Sequence, residues 1–239
     1  MRRHPSSAAL VLAALLAAGT AQAGTSVIDT TPSWDGSSTV YPWGHFSATQ
    51  TCGQTVSAPA YASSLAGFSF ILQDVNDFQG LGVPGPITYQ AFVYRWDAAG
   101  RHITGAALWQ SPVLQTPGTN TGNFVTTSFT TPGTAVAPGT EYMLFLTTNG
   151  IAVPTDGNTD WAFPYADAYS GSAFHFLNDP NFADLGTTAW SDSAAFGTDP
   201  AADLIFTAAF AVPEPGSLLV VGSALAGVGL LLRRSRRTG

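Results

Sequence analysis

The chain has 239 residues, 45% hydrophobic and 10% charged, a size that suits one domain or at most two. Residues 24–212 contain fourteen acids and two arginines, because the other six basic residues lie near the two ends. This acid surplus favours solubility and tolerates neutral glycans, but it argues against a nucleic-acid partner. The single cysteine, Cys52, cannot form an intramolecular disulfide, and we expect it to be a small buried side chain.

The first 23 residues have the features of a secretory signal peptide. A basic start precedes an apolar run at 8–18, and Ala21 and Ala23 form a cleavage site with small residues. The apolar run is too short to span a bilayer as a helix. We therefore expect a signal helix at 1–23 that is removed by cleavage, followed by an extracytoplasmic domain at 24–211.

The stretch 24–211 contains short apolar runs bounded by turn residues, without sustained helical periodicity. Short strands at this spacing predict an all-β fold, namely an antiparallel β-sandwich or a jelly-roll-like domain. We expect one or two further strands in the stretches that are left unassigned. The seven runs that predict strands are 65–72, 87–96, 107–110, 123–130, 141–147, 174–176 and 204–206.

The sequence contains no Gly-x-Ser-x-Gly motif, no dinucleotide-binding motif and no Walker-type loop. The histidines that follow the signal, His45, His102 and His175, are far apart and lack the spacing of metal ligands. Several aspartates stand beside Gly, Asn or Pro, where Asp commonly forms turns. We therefore expect a domain that is not an enzyme and has no cofactor. A secreted hydrolase, which would need a pair of carboxylates or a histidine-centred triad, is a less favoured alternative.

Four aromatic residues lie in stretches that are rich in Pro, Gly or Asp, where exposed rings could stack on sugars. Tyr41 and Trp43 form one pair, and Trp161 and Tyr165 form the other. Half-buried rings that anchor loops are the common alternative. The four residues are therefore candidates for glycan stacking.

A short run of polar residues resembles part of a calcium-binding loop. Asp156, Asn158 and Asp160 supply oxygens at positions 1, 3 and 5, and Asp167 falls at position 12. Trp161 stands where such a loop needs glycine at position 6. An Asx-rich turn without metal is therefore the favoured interpretation.

A second apolar run, 217–232, comes late in the chain and is followed directly by a basic stretch, 233–237. The run approaches the length that a helix needs to span a bilayer, and the positive-inside rule keeps the basic stretch cytoplasmic. Prolines in 212–216 hold the preceding backbone extended and accessible. The sequence therefore predicts a single transmembrane helix at 217–232. The residues of the motif are Val212, Pro213, Glu214 and Pro215, and those of the basic cluster are Arg233, Arg234, Arg236 and Arg237.

This order of a Val-Pro-Glu-Pro motif, an apolar helix and an arginine cluster resembles the PEP-CTERM sorting tail, here over 212–237. The same tail is sometimes labelled an ice-binding-protein C-terminal domain, which is no evidence for ice binding. The resemblance implies processing by an exosortase-type membrane protease in a Gram-negative bacterium that makes exopolysaccharide. It also implies that the chain is anchored transiently in the inner membrane and then reaches the cell surface or the extracellular matrix.

A second resemblance covers about 51–149 and rests on three short segments of turn and core residues. It is to a jelly-roll-like sandwich domain that recurs in bacterial surface proteins with this tail, and it transfers no catalytic residue. We therefore expect an exported, non-enzymatic surface or exopolysaccharide-matrix protein, with a carbohydrate-binding module as the main alternative. The segments are Gly53-Gln54-Thr55-Val56, Tyr94-Arg95-Trp96-Asp97 and Pro138-Gly139-Thr140-Glu141-Tyr142.

Overall fold

A computed structural model of the chain describes residues 24–44, 49–74, 86–151, 157–179 and 181–212. These residues form thirteen strands and three short 3-10 helices, so the prediction of an all-β fold is confirmed. No helix in these ranges is long and apolar enough to cross a membrane. The predicted signal helix at 1–23, the residues of the sorting tail after Val212 and the predicted transmembrane helix at 217–232 lie outside the described residues.

The first sheet contains six strands. They are β1 (Gly24–Asp29), β2 (Thr39–Gly44), β4 (Ser64–Gln73), β8 (Phe124–Ala135), β10 (Asn158–Ala162) and β13 (Phe206–Val212). Their order is β1–β13–β4–β10–β2, and β8 also pairs with β4. The pairing of β4 with β8 is antiparallel and has one register shift between Leu65 and Gly67.

The second sheet contains seven strands. They are β3 (Thr51–Ser57), β5 (Thr88–Asp97), β6 (His102–Gln110), β7 (Leu114–Gln115), β9 (Glu141–Thr147), β11 (Phe174–Leu177) and β12 (Ser191–Asp192). Their order is β12–β11–β3–β9–β5–β6, and β7 also pairs with β5. The central pairs β3–β9 and β5–β9 are antiparallel, as the predicted fold requires.

The main hydrophobic core contains side chains from both sheets. Phe70 and Trp161 come from the first sheet, and Val56 and Leu144 come from the second. Burial of such side chains is the dominant favourable contribution to folding. The two antiparallel sheets thus share one core, which is the arrangement of a β-sandwich.

The second sheet is also covered on its other face. In β9, residues Tyr142, Leu144 and Leu146 belong to the main core, whereas Met143 and Phe145 belong to a second cluster. This alternation follows from the two-residue period of a strand. Because both faces are buried, β9 is apolar almost throughout. The second cluster also contains Phe92, Trp96, Ile103, Leu177, Leu185 and Trp190.

The cover on this second face is irregular rather than a third sheet. It includes the 3-10 helix Phe182–Gly186, which Asn181 caps by accepting a hydrogen bond from the N–H of Ala183 at 3.3 Å. Trp190 donates its indole N–H to the carbonyl oxygen of Leu185 at 3.0 Å. The candidate site described below lies at this cover, within the compact unit Ser26–Phe210.

Candidate functional site

Asp203 is fully buried and both of its carboxylate oxygens are engaged. It accepts hydrogen bonds from Gln54 at 2.6 Å, from the Ser172 hydroxyl at 2.8 Å, and from the backbone N–H groups of Ala168 and Tyr169 at 2.9 and 2.7 Å. Burial raises the pKa of Asp203 to about 6, although these hydrogen bonds act in the opposite direction. The side chain therefore serves the fold, because it ties two loops to the buried strand β3.

Asp160 is buried in β10 with only one of its oxygens paired. Its Oδ2 accepts a hydrogen bond from the Thr39 hydroxyl at 3.0 Å, while Oδ1 has no partner among the described residues. Burial raises the pKa of Asp160 to about 6, and the bond from Thr39 lowers it by less. An ionised Asp160 is therefore costly for the folded protein.

At Asn158 and Asp160 the structure contradicts both the predicted calcium loop and the alternative of an Asx-rich turn. Asn158 and Asp160 are strand residues with an exposed fraction of 1% each, and Asp156 lies outside the described residues. A calcium loop instead needs a curved backbone whose oxygens converge on one point. In the part of the chain that the structure describes, no group of three or more His, Cys, Asp or Glu could hold a metal ion.

The four residues that we predicted to stack on glycans differ in how far the structure exposes them. Trp43 and Trp161 are 0% exposed and pack edge to face at 5.5 Å in the main core, so the prediction is wrong for these two. Their strands β2 and β10 pair with each other, which buries both rings. Tyr165 is 49% exposed and stays a candidate. Tyr41 lies in β2, but its side chain lies outside the description.

Cys52 and His175, whose residue types often serve as nucleophile and base, are both buried. Cys52 has an exposed fraction of 1%, as predicted, and burial raises the pKa of its thiol. His175 packs against the ring of Trp96 at 4.8 Å, and burial lowers its pKa to about 4, although nearby Asp192 acts in the opposite direction. The histidine is therefore neutral at physiological pH.

The outer face of the second sheet has a groove that our sequence analysis did not predict. It consists of two hollows of about 390 and 260 Å³ that share the side chains of Tyr94 and Phe182. None of the residues that line the two hollows is charged. We call this feature the aromatic groove, and its main side chains are Gln90, Tyr94, Thr104, Gln110, Phe182 and Thr187.

An irregular pairing of β5 with β6 shapes one wall of the aromatic groove. Val93 pairs with Trp109, and Arg95 pairs with Thr104. Residues 105–108 of β6 therefore lie opposite the single residue Tyr94 of β5. Gly105 begins this bulge with a φ of 72°, a conformation that favours glycine. Thr104 and Gly105 at this bulge line the same hollow as Tyr94.

The two rings of the aromatic groove rest on a buried pair of phenylalanines. Phe92 and Phe145 stack with their centroids 5.2 Å apart. Phe182 lies 5.2 Å from Phe92, and Tyr94 lies 5.8 Å from Phe145. Burial raises the pKa of Tyr94, and a hydrogen bond from the backbone of Ala107 partly opposes this shift. Both rings are therefore held in place while remaining half-exposed.

No family model and no curated protein matches the chain. Among solved structures, it is similar to the cysteine protease and lectin-like domains of Cwp84, a surface layer associated protein of Clostridium difficile. The identity is 10%, the match covers 70% of this chain and 33% of that chain, and the TM-score is 0.43. A structure of the clostridial cysteine protease Cwp84 after propeptide cleavage gives 10% identity, 79% and 40% coverage, and a TM-score of 0.47.

A third similar structure is that of the infectious bursal disease virus Gt strain. The identity is 11%, the match covers 82% of this chain and 43% of that chain, and the TM-score is 0.32. The chain thus spans less than half the length of the three solved chains. Similarity at this level carries no information about function.

Proposed function

We propose that this chain is an exported, non-enzymatic protein of the cell surface or exopolysaccharide matrix, delivered through a PEP-CTERM-like tail. The observation that carries the proposal is the order of parts in 212–237, where a Pro-Glu-Pro motif precedes an apolar run and an arginine cluster. The partner would be an exosortase-type protease that cuts near this motif. The inner membrane would hold the chain only until that cleavage.

The buried titratable groups support a role other than catalysis. General acid–base chemistry needs a carboxyl or imidazole group within reach of a substrate. Asp203 instead binds donors of the protein itself, and Asp160 and His175 are only 1% and 8% exposed. These groups contribute to the fold, which favours a structural or binding domain over a secreted hydrolase.

Fractionation of the host tests delivery through the tail. We expect the unaltered protein in the medium or matrix fraction, and the double variant Pro213→Ala with Pro215→Ala in the membrane fraction. The variant removes the two prolines, whose rings restrict the backbone and disfavour a helix at the motif. As a control, Pro112→Ala changes a proline in an exposed loop and should leave the distribution unchanged. Equal release of the double variant would contradict the proposal.

A carbohydrate-binding module is the second candidate, and the aromatic groove favours it. The groove combines two half-exposed rings with uncharged polar side chains, and binding sites commonly pair apolar surface with a few placed polar groups. Binding of soluble polysaccharides by the full-length protein tests this candidate. If no polysaccharide is bound, the candidate is removed, whereas delivery to the surface is unaffected.

A further inference from the structure

We propose that the aromatic groove binds a neutral polysaccharide chain, with Tyr94 and Phe182 each supporting one sugar ring. This inference rests on the proposed function in the exopolysaccharide matrix, and it names the site and the class of ligand. It differs from the sequence prediction, which placed stacking at other rings.

Buried aromatic side chains support the two rings of the aromatic groove from below. One face of a sugar ring presents C–H groups, which suit the electron-rich face of an aromatic side chain. Tyr94 and Phe182 are positioned by the stacked pair Phe92 and Phe145. A ring that is already ordered loses little conformational entropy on binding, so it gains more from each contact.

Amide and hydroxyl groups lie beside the two rings of the aromatic groove. Amides donate and accept hydrogen bonds, which matches the two roles of sugar hydroxyls. Gln90 donates to the carbonyl oxygen of Ser111 at 3.0 Å, so the orientation of its amide is fixed. Gln110 is exposed at the rim, and Thr104 lies at the other hollow. The groove therefore offers polar groups on both sides of its rings.

Charge and shape select among possible ligands. The lining is uncharged, and residues 24–212 contain fourteen acids against two arginines, so a polyanion would be repelled. The two hollows share both rings, so a ligand long enough to occupy both hollows would contact Tyr94 and Phe182, as the interior of a chain can. A neutral polysaccharide meets both conditions.

Native affinity electrophoresis of the full-length protein in detergent tests the inference. The gels contain hydroxyethylcellulose, galactomannan or dextran as neutral polymers, and alginate as the anionic one. We expect retardation by at least one neutral polymer and none by alginate. Tyr94→Ala and Phe182→Ala should each weaken binding by about tenfold or more, and Tyr94→Phe should retain it because the ring remains.

Two matched variants separate binding from folding. Gln110→Ala removes an exposed amide, so it should weaken binding by about threefold with an unchanged melting temperature. Tyr61→Ala removes a tyrosine that is 73% exposed and lies outside the groove, so it should bind like the unaltered protein.

Three results would overturn the inference. Loss of binding in Tyr165→Ala, with normal binding in the groove variants, would place the sugar site elsewhere and leave the matrix function standing. If alginate alone retards the protein, or if none of the polymers does, a neutral glycan at this groove is excluded. Self-association that the groove variants abolish would make the groove an interface between copies. Delivery through the tail is measured separately, so its failure is distinguishable from these outcomes.

Discussion

Two buried aspartates differ in how completely their carboxylate oxygens are hydrogen-bonded. In Asp203 both oxygens accept hydrogen bonds, whereas in Asp160 only Oδ2 does so among the described residues. An unpaired buried polar atom costs free energy, and a buried charge costs more. Replacement by Asn should therefore change the stability of the protein in opposite directions at the two positions.

Asp160→Asn should stabilise the protein at pH 7.5. The folded pKa of about 6 lies above the ordinary value of 3.8, so the contribution of this carboxyl is fully present below pH 3.8 and is lost as the pH rises through 6. We expect the variant to gain about 1 kcal/mol at pH 7.5 and to lose that advantage near pH 3.5. Denaturant unfolding at both pH values measures the difference. A gain of equal size at both would contradict this origin.

Asp203→Asn should destabilise the protein by about 2–4 kcal/mol. The new amide would point its own N–H groups at donors such as Gln54 and Ser172, which now bind a carboxylate. Thermal unfolding measures the loss. Asp167→Asn is the control, because it removes the same charge at an exposed position and should change the melting temperature little.

The sequence was enough to predict whether some individual side chains are buried, but not others. Cys52 was predicted to be buried and is, because a lone thiol in a chain of this kind is usually a core residue. Trp43 and Trp161 were assigned to loops because Pro, Gly and Asp surround them. Their burial depends on the pairing of β2 with β10, two strands more than a hundred residues apart, which no local pattern encodes.

Among the elements, the strands that sequence analysis predicted best are those with continuous or alternating apolar residues. The strand β9 has the predicted bounds, because its apolar run follows a Pro-Gly turn. The run at 107–110 is only the last part of β6, and β13 begins at Phe206, where the predicted strand ends. Strand bounds were thus most accurate where a turn and an apolar run coincide.

Our sequence analysis did not predict β3, because its polar residues are buried together. All residues of Thr51–Cys52–Gly53–Gln54–Thr55–Val56 are buried, and the hydroxyls of Thr51 and Thr147 lie 2.7 Å apart in a hydrogen bond. Such pairs compensate the cost of burying polar groups. They also remove the apolar alternation on which a strand prediction depends.

Gly53→Ala should disrupt this strand. A Cβ at this position would lie 2.5 Å from Cβ of Phe145 and 2.6 Å from the carbonyl oxygen of Leu144, so β3 and β9 would have to separate. We expect a loss of about 1–3 kcal/mol, measured by denaturant unfolding. Gly186→Ala is the control, because its Cβ would meet only the carbonyl oxygen of Ile103 at 3.4 Å. Equal losses in both would contradict the explanation.

In the whole molecule, composition was enough to predict the fold class but not the candidate site. Short runs of apolar residues with many turn residues indicate an antiparallel all-β fold, and the structure confirms it. The aromatic groove depends on an irregular cover, in which Phe182 packs on Phe92 from a segment about ninety residues further along the chain. Irregular segments have no periodicity that would reveal such a contact.

Two parts of the chain carry the proposed function. The β-sandwich supplies the proposed binding surface, and 212–237 supplies the proposed route to the cell surface. The negative charge of 24–212 is compatible with both proposals, because it favours solubility and does not repel neutral glycans. The two parts are tested by different experiments, and delivery is the central claim.

The most direct test of delivery is the intact mass of the protein from its host, with and without the candidate sorting protease. Our account predicts a product that begins near Gly24 and ends near the Pro-Glu-Pro motif when the protease is present. Without the protease, the product should keep 217–237 and stay with the membrane. A product that keeps 217–237 in both strains would contradict the account and would indicate a permanently anchored surface protein.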